Sequence, residues 1–254
     1  MRKHHLPLGW SRRDPRHYRF PLPNAVWEYR LKPIEFVIFS YLCYHHTHGQ
    51  SSVPTIETAA NSVHLTTDTI KKYLDALVNR GLITDEWALS SSVQNTTGEK
   101  FFTLPNEVFL LKLSPSVFMV YAYLLLIEDR RTHTCHPSYN TIATATGMSR
   151  NTAIKSISTL LEMGLITVEA SSYFDKRGMK WKGNNLYTIL PIGMAMEEFH
   201  RRQLCQLELD ANRRRIRRRQ GEHDRCRPRT ALCAPVPAQA APNPSQLPGP
   251  LYAR

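Results

Sequence analysis

Residues 138–166 read SYNTIATATGMSRNTAIKSISTLLEMGLI, a pattern that predicts two helices joined by a tight turn. Ser138 can cap a short helix over residues 139–146, and Gly147 can end it because glycine tolerates a positive φ. Ser149 can cap the next helix, in which apolar residues recur at the spacing of one buried face. These residues are Ala153, Ile157, Leu160 and Leu161.

Elements on either side complete a small domain around these two helices. Upstream, Ser114 and Pro115 give a capping residue followed by proline at the first helical position, where its missing N–H costs nothing. Downstream, Gly164 closes the second helix, and a strand over residues 165–168 can pair with a return strand over residues 186–189. We therefore expect three helices followed by a two-stranded hairpin. The expected core of the upstream helix is Phe118, Tyr121, Leu124 and Leu125.

The same pattern occurs earlier in the chain. FPLPNAV at residues 20–26 returns as FTLPNEV at residues 102–108, and GLITDE at residues 81–86 returns as GLITVE at residues 164–169. Over residues 20–86, 21 of 67 positions are identical to residues 82 or 83 places downstream. Such self-similarity predicts two copies of one unit. In the first copy, Thr55 and Thr66 are the expected caps, and His64 stands at the position of Gly147. A hairpin loop is expected over residues 90–98. The expected core of this copy is Phe36, Phe39, Leu42, Cys43, Ile70, Leu74, Leu77 and Val78.

Charge and composition narrow the class of protein. Lys and Arg exceed Asp and Glu by 12, with +5 in residues 1–19, +1 in residues 20–195 and +6 in residues 196–254. Basic ends indicate an acidic polymer or surface as partner. The longest apolar run is about half of what spans a bilayer. The five cysteines include no Cys-x-x-Cys pair, so we expect neither disulfides nor zinc, and a reducing compartment.

The motifs in residues 138–166, with GMSRNT at 147–152 and LLEMGLI at 160–166, resemble the winged helix-turn-helix of GntR- and MarR-type bacterial regulators. The tandem arrangement also resembles the helix-turn-helix proteins and replication initiators of plasmids and mobile elements. The resemblance implies a mainly α fold with small β-hairpins (α+β), built as two tandem winged helices. The expected organisation is a basic arm (1–19), domain 1 (20–101), domain 2 (102–195), a basic helical segment (196–227) and a disordered Pro/Ala-rich tail (228–254).

In such a fold the third helix enters the major groove and the hairpin, or wing, contacts the backbone. For domain 2 this implies recognition-helix contacts by Ser149, Arg150, Asn151, Thr152, Lys155 and Ser156, and wing contacts by Lys176, Arg177, Lys180 and Lys182. Ile154 is expected to be partly exposed. Domain 1 carries Asp68 on its third helix, so a weaker contribution is expected from Thr66, Thr67, Lys71 and Lys72.

The function expected from these residues is sequence-specific binding of double-stranded DNA, as a transcriptional regulator of a bacterium or mobile element. A plasmid or mobile-element replication initiator that uses both winged helices is the alternative, and an interaction scaffold is an alternative of another class. No nucleophile–base pair, carboxylate pair or phosphate-binding Gly loop is apparent, so we expect no enzyme, cofactor or metal. Expected partners are DNA, with a possible homodimer or replication and transcription proteins, in the cytoplasm at the nucleoid and away from membranes.

Overall fold

The computed structural model describes residues 18–48, 54–91, 93, 100–174, 177 and 179–226. The chain divides into two compact units, Met1–Leu204 and Cys205–Arg254. The first unit is mainly helical with small antiparallel sheets, which confirms the expected α+β fold class. The expected arm before residue 18 and the tail after residue 227 lie outside the described residues.

The helices and strands of the first unit follow one order twice. The first series is β1 (Arg19–Pro23), a short 3-10 helix (Asn24–Trp27), α1 (Pro33–Thr47), α2 (Ile56–Val63) and α3 (Thr67–Asn79). The second series is β2 (Phe101–Pro105), a second 3-10 helix (Asn106–Leu111), α4 (Pro115–Ile127), β3 (Thr134–Cys135), α5 (Tyr139–Thr146) and α6 (Arg150–Glu162). Four strands and a long helix end the described chain: β4 (Ile166–Glu169), β5 (Ser172–Phe174), β6 (Lys180–Lys182), β7 (Leu186–Ile189) and α7 (Ile192–Cys226).

The strands β1 and β2 were not expected from the sequence, and they join the two series. They pair antiparallel in a register centred on Pro21 opposite Thr103, which are counterparts in the internal alignment. On either side of this pair, Phe20 faces Leu104 and Leu22 faces Phe102. This is the register of two similar units related by a local two-fold axis. The expected boundary between residues 101 and 102 falls inside β2, so the two expected domains share one sheet.

The core is continuous across both series because α1 packs against α4. Phe36 and Phe118, again counterparts, meet edge to face with ring centroids 6.1 Å apart. Phe109 stacks on Phe118 at 5.5 Å and on Phe20 at 5.7 Å. Every expected core residue of α1 and α4 is buried, because neither helix has a solvent-facing stripe over its central turns.

The starts of α1 and α4 differ from expectation. The Ser114 side chain makes no capping hydrogen bond, so its expected role as a side-chain cap is wrong. Pro115 instead sets φ for the first turn of α4. In α1 the Lys32 amide donates to Glu35 Oε2 at 2.9 Å. The carboxylate of Glu35 is buried and also pairs with Arg80 Nη2 at 3.4 Å, which ties α1 to the end of α3.

The two hairpins have diverged. In the second series β4 pairs with β7 as expected, and β3 adds an unexpected third strand on the other side of β7. In the first series the described residues contain a single bridge, Ile83 to Leu89, rather than a two-stranded ladder. A tight turn over Thr84–Trp87, with Trp87 at a φ of 61°, closes the chain after that one pair. The first-series hairpin thus turns at Thr84–Trp87, and most of the hairpin loop expected over residues 90–98 lies outside the described residues.

The helix α7 begins four residues before the expected segment. Ala195 is buried, and the Arg202 guanidinium donates to the Glu162 carbonyl at 3.0 Å, which attaches this part of α7 to the end of α6. In the second unit, residues 205–218 are exposed apart from a half-buried Asp210. Among the described residues no helix combines the length and the apolar character needed to cross a bilayer.

Candidate functional site

The turn between α5 and α6 is built by local hydrogen bonds. The Thr141 amide donates to Ser138 Oγ at 3.0 Å, and the Thr152 amide donates to Ser149 Oγ at 3.1 Å. Gly147 ends α5 in the left-handed region, with a φ of 65°. The expected caps and the expected glycine turn are thereby confirmed. These bonds satisfy amides that a helix start otherwise leaves unpaired, so the position at which α6 begins is fixed.

The expected recognition helix exposes a cationic first half. Arg150, Asn151 and Lys155 are exposed, whereas Thr152 and Ile154 are half-buried. Ser149 is exposed, but its hydroxyl is engaged in the cap. The first turn of α6 contains no acidic residue. The first turn of α6 therefore places no carboxylate that would repel an anionic partner.

Two expectations about the faces of α6 are wrong. Ser156 is 2% exposed and cannot contact a partner, because it follows Ala153 by three residues and precedes Leu160 by four, on the buried face. Leu161 was expected in the core but is 47% exposed. It lies about 100° around the helix from Leu160, beyond the stripe that α4 covers.

Arg150 is held by contacts that the sequence pattern did not reveal. Its guanidinium carbon lies 5.9 Å from the centroid of the Tyr139 ring, within the range of a cation–π contact. Tyr139 Oη accepts a hydrogen bond of 2.9 Å from the Asn185 side-chain amide. Asn185 directly precedes β7, so one chain of contacts connects the base of the wing, the start of α5 and the start of α6.

These residues surround a cleft of about 250 Å³ between α5, α6 and the wing base. The Asn184 side-chain amide donates to the His136 carbonyl at 3.3 Å, which connects the base of the wing to the residues before α5. Burial, the largest cause, raises the pKa of Tyr187 to about 12, so its hydroxyl stays protonated. The polar lining can accept or donate hydrogen bonds without carrying a negative charge, as a surface beside a phosphate requires.

The wing is longer than the expected two strands. The strands β5 and β6 pair in a register that places Phe174 opposite Lys180 and Ser172 opposite Lys182. Arg177 lies in the connecting turn and is exposed, whereas Lys176 lies outside the described residues. The backbone thus carries Arg177, Lys180 and Lys182 on one hairpin that extends from the β4–β7 sheet.

The corresponding surface of the first series is less cationic. Thr66 caps α3 by accepting from the Thr69 amide at 3.3 Å, and Thr66, Thr67, Lys71 and Lys72 are exposed as expected. Asp68 is exposed in the first turn between them. His64 ends α2 in the left-handed region with a φ of 56°, at the position that glycine occupies in the second series.

Sequence reasoning missed Tyr139 and Asn185 as site residues. Tyr139 is the first residue of the helix predicted over residues 139–146, and Asn185 directly precedes the strand predicted over residues 186–189. Their role depends on the approach of residues 46 positions apart, and no local spacing encodes that approach.

Comparison with known proteins supports the fold of this region. A family described as a helix-turn-helix domain matches residues 111–166, which contain α4, α5 and α6. A solved structure described as a possible transcriptional regulator from Methanosarcina mazei Go1 aligns with a TM-score of 0.30 and 14% identity, over 44% of this chain and 89% of that chain. No match was found among curated proteins. Residues 111–166 thus match a helix-turn-helix domain, and the capped, cation-bearing pair α5–α6 lies within this match.

Proposed function

We propose that this protein binds double-stranded DNA sequence-specifically as a regulator, with α6 as its recognition helix and no chemistry of its own. The observation that carries the proposal is the exposed triplet Arg150, Asn151 and Lys155 at the start of a helix whose opposite face is buried. A helix presented in this way fits the major groove with its first turns toward the bases.

The three residues have distinct roles in the proposal. Arg150 can donate two hydrogen bonds to the O6 and N7 atoms of guanine, and Asn151 can form two hydrogen bonds with adenine. Each such pairing contributes about 1–3 kcal/mol of discrimination against the wrong base. Lys155 lies one turn further along α6 and suits a phosphate, which positions the protein but carries no sequence information.

The wing supplies affinity rather than specificity. Arg177, Lys180 and Lys182 lie on the β5–β6 hairpin, and Lys176 precedes Arg177 in the sequence. Cationic side chains along one hairpin neutralise phosphates and release the counterions of the DNA, so they strengthen binding to any sequence.

The first series is proposed as a second and weaker reader. Lys71 and Lys72 are available on α3, but Asp68 would repel phosphates unless it accepts a hydrogen bond from cytosine. Because the β1–β2 register relates the two series by a local two-fold axis, one chain can address two adjacent half-sites. This arrangement also suits a replication initiator that binds repeated sites, and either role places the protein with DNA in the cytoplasm.

Selection from a random duplex library, followed by gel shift on the selected site, tests the proposal. We expect wild-type protein to enrich one motif and Arg150→Ala to lose preference at one base pair of it. The matched control is Arg131→Ala, an exposed arginine that belongs to neither α6 nor the β5–β6 hairpin, which should leave the motif unchanged. The proposal is contradicted if the wild-type protein enriches no motif, or if Arg150→Ala enriches the same motif as the wild type. Genome-wide mapping then separates the roles: promoters indicate a regulator, and an origin with repeated sites indicates an initiator.

A further inference from the structure

A cleft of about 510 Å³ opens in the first series between α1, α2 and the second 3-10 helix. We call it the α1–α2 cleft. Tyr41 and Tyr44 line it from α1, Ser62 from α2, and Glu107 and Phe109 from the 3-10 helix. Its volume is within the range of small-molecule sites, and it shares no lining residue with the cleft beside Arg150.

Aromatic rings form one wall of the α1–α2 cleft. The rings of Tyr41 and Phe109 meet edge to face at 5.5 Å, and those of Tyr44 and Phe109 at 5.4 Å. These contacts hold the wall rigid and turn π-faces and edges toward a flat or apolar ligand. Burial, and to a lesser degree the charges of Tyr41 and Glu107, raises the pKa of Tyr44, so its hydroxyl remains neutral.

A carboxylate completes the lining. Glu107 Oε2 is shielded from water and accepts no hydrogen bond within the part of the chain that the structure describes. Among the described residues that line the cleft, His45 and His64 are the basic side chains, and none is a lysine or an arginine. A carboxylate oxygen in this position lacks the compensation that buried charges usually have, and a cation nearby would supply it.

The second series shows that the fold does not require these polar groups. At the counterpart positions, Tyr44 is replaced by Leu126, His45 by Ile127, Ser62 by Ala145 and Glu107 by Ala25. Phe109 is replaced by Trp27, which packs edge to face on Tyr123 at 5.4 Å. The second copy therefore lacks the hydroxyls of Tyr44 and Ser62 and the carboxylate of Glu107, although it carries Glu28 at the position of Leu110.

From this contrast we propose that the α1–α2 cleft binds a small organic cation, an ammonium group attached to an aromatic or apolar body. The body packs on Tyr41, Tyr44 and Phe109, and the ammonium faces Glu107 and the π-systems of the tyrosines. The proposal is independent of DNA binding, since none of these residues belongs to α6 or the wing.

Isothermal titration of the full chain at pH 8, where histidine is ordinarily neutral, tests the proposal with benzylamine and its neutral analogue benzyl alcohol. We expect benzylamine to bind at least roughly tenfold more tightly than the alcohol, as a charge-assisted hydrogen bond implies. Glu107→Gln should remove this difference and leave the binding of the alcohol unchanged. Glu86→Gln, which removes an exposed carboxylate elsewhere, should leave both affinities unchanged.

A third variant and three contradicting outcomes complete the test. Phe109→Trp, which copies the ring of the second series, should fill the cleft and abolish binding of both probes, with folding checked by circular dichroism. Equal binding of the amine and the alcohol to the wild-type chain overturns the proposal even if a variant fails to fold. Absence of benzylamine binding, or full binding by a folded Glu107→Gln variant, overturns it too. Gel-shift affinity of the same samples reports the proposed DNA function separately.

Discussion

The guanidinium of Arg150 lies over the ring of Tyr139, with 5.9 Å between the guanidinium carbon and the ring centroid. Tyr139 is in turn held by the side-chain amide of Asn185 at the base of the wing. An arginine whose rotamers are restricted in this way loses less entropy on meeting a base than a free one does. The contact therefore links the geometry of the wing to the specificity of α6.

Tyr139→Ala should relax base preference at the position that Arg150 reads, without any change to Arg150 itself. We expect a loss of discrimination at that base pair of about 1 kcal/mol, because the guanidinium loses its support. Tyr139→Phe keeps the ring and should retain most of the preference. Gel shift on the selected site and on its single-base variants measures this, and equal discrimination by all three proteins would show that Tyr139 has no positioning role.

The wing should control the salt dependence of binding. If about four wing cations neutralise phosphates, log K should fall with log[salt] at a slope near −3.6. Lys180→Ala/Lys182→Ala should reduce the magnitude of this slope by about 1.8 and should weaken binding to all DNA sequences alike. Fluorescence anisotropy over a range of NaCl concentrations measures the slope. A loss confined to the selected sequence would instead assign these lysines to base contacts.

Replacing Glu35 and Arg80 together should preserve the stability of the protein, whereas replacing Arg80 alone should lower it. Arg80→Met should destabilise the protein by about 2 kcal/mol, because the buried Glu35 carboxylate loses its cation. The double change Glu35→Val/Arg80→Met copies the counterpart residues Val117 and Met163 and should be near neutral. Urea unfolding measures both. A double variant less stable than the single one would contradict this explanation.

Gly147 ends α5 and His64 ends α2, and substitutions at these two positions should change the stability of the protein differently. Gly147→Ala should destabilise by about 1 kcal/mol, because no atom lies within 4 Å of the added Cβ and only the left-handed backbone is penalised. His64→Gly relieves the same penalty but loses the contact of His64 Nε2 with the Phe109 carbonyl at 3.1 Å. We therefore expect a change near zero. Thermal unfolding of the two variants distinguishes these expectations.

The buried cysteines should be inert and should make the protein sensitive to alkali. Burial, with a smaller contribution from Glu128, raises the pKa of Cys135 from 9.0 to about 12, and burial also raises the pKa of Cys43. A raised thiol pKa in the folded state gives stability that is complete below pH 9 and is lost as the pH rises toward 12. Iodoacetamide at pH 8 should modify the exposed Cys205 before either buried thiol, as mass spectrometry can show.

Much of the fold follows from local patterns. The caps at Ser138, Ser149 and Thr66 each accept from an amide three residues further along, so the two short helix pairs were predictable. The core stripes of α1 and α4 were predictable for the same reason. Ser156 and Leu161 were assigned to the wrong faces because a helical period gives the direction of a stripe but not its width, which the packing partner sets.

The internal repeat is enough to predict two related units, and the local capping patterns are enough to predict the starts of α2, α3, α5 and α6. The helix starts are predictable because they depend on neighbours within one turn. Tertiary packing alone pairs β1 with β2, places Asn185 against Tyr139 beside Arg150, and brings α1, α2 and the second 3-10 helix together around the α1–α2 cleft. Those contacts join residues dozens of positions apart, and their geometry comes from packing that no local pattern specifies.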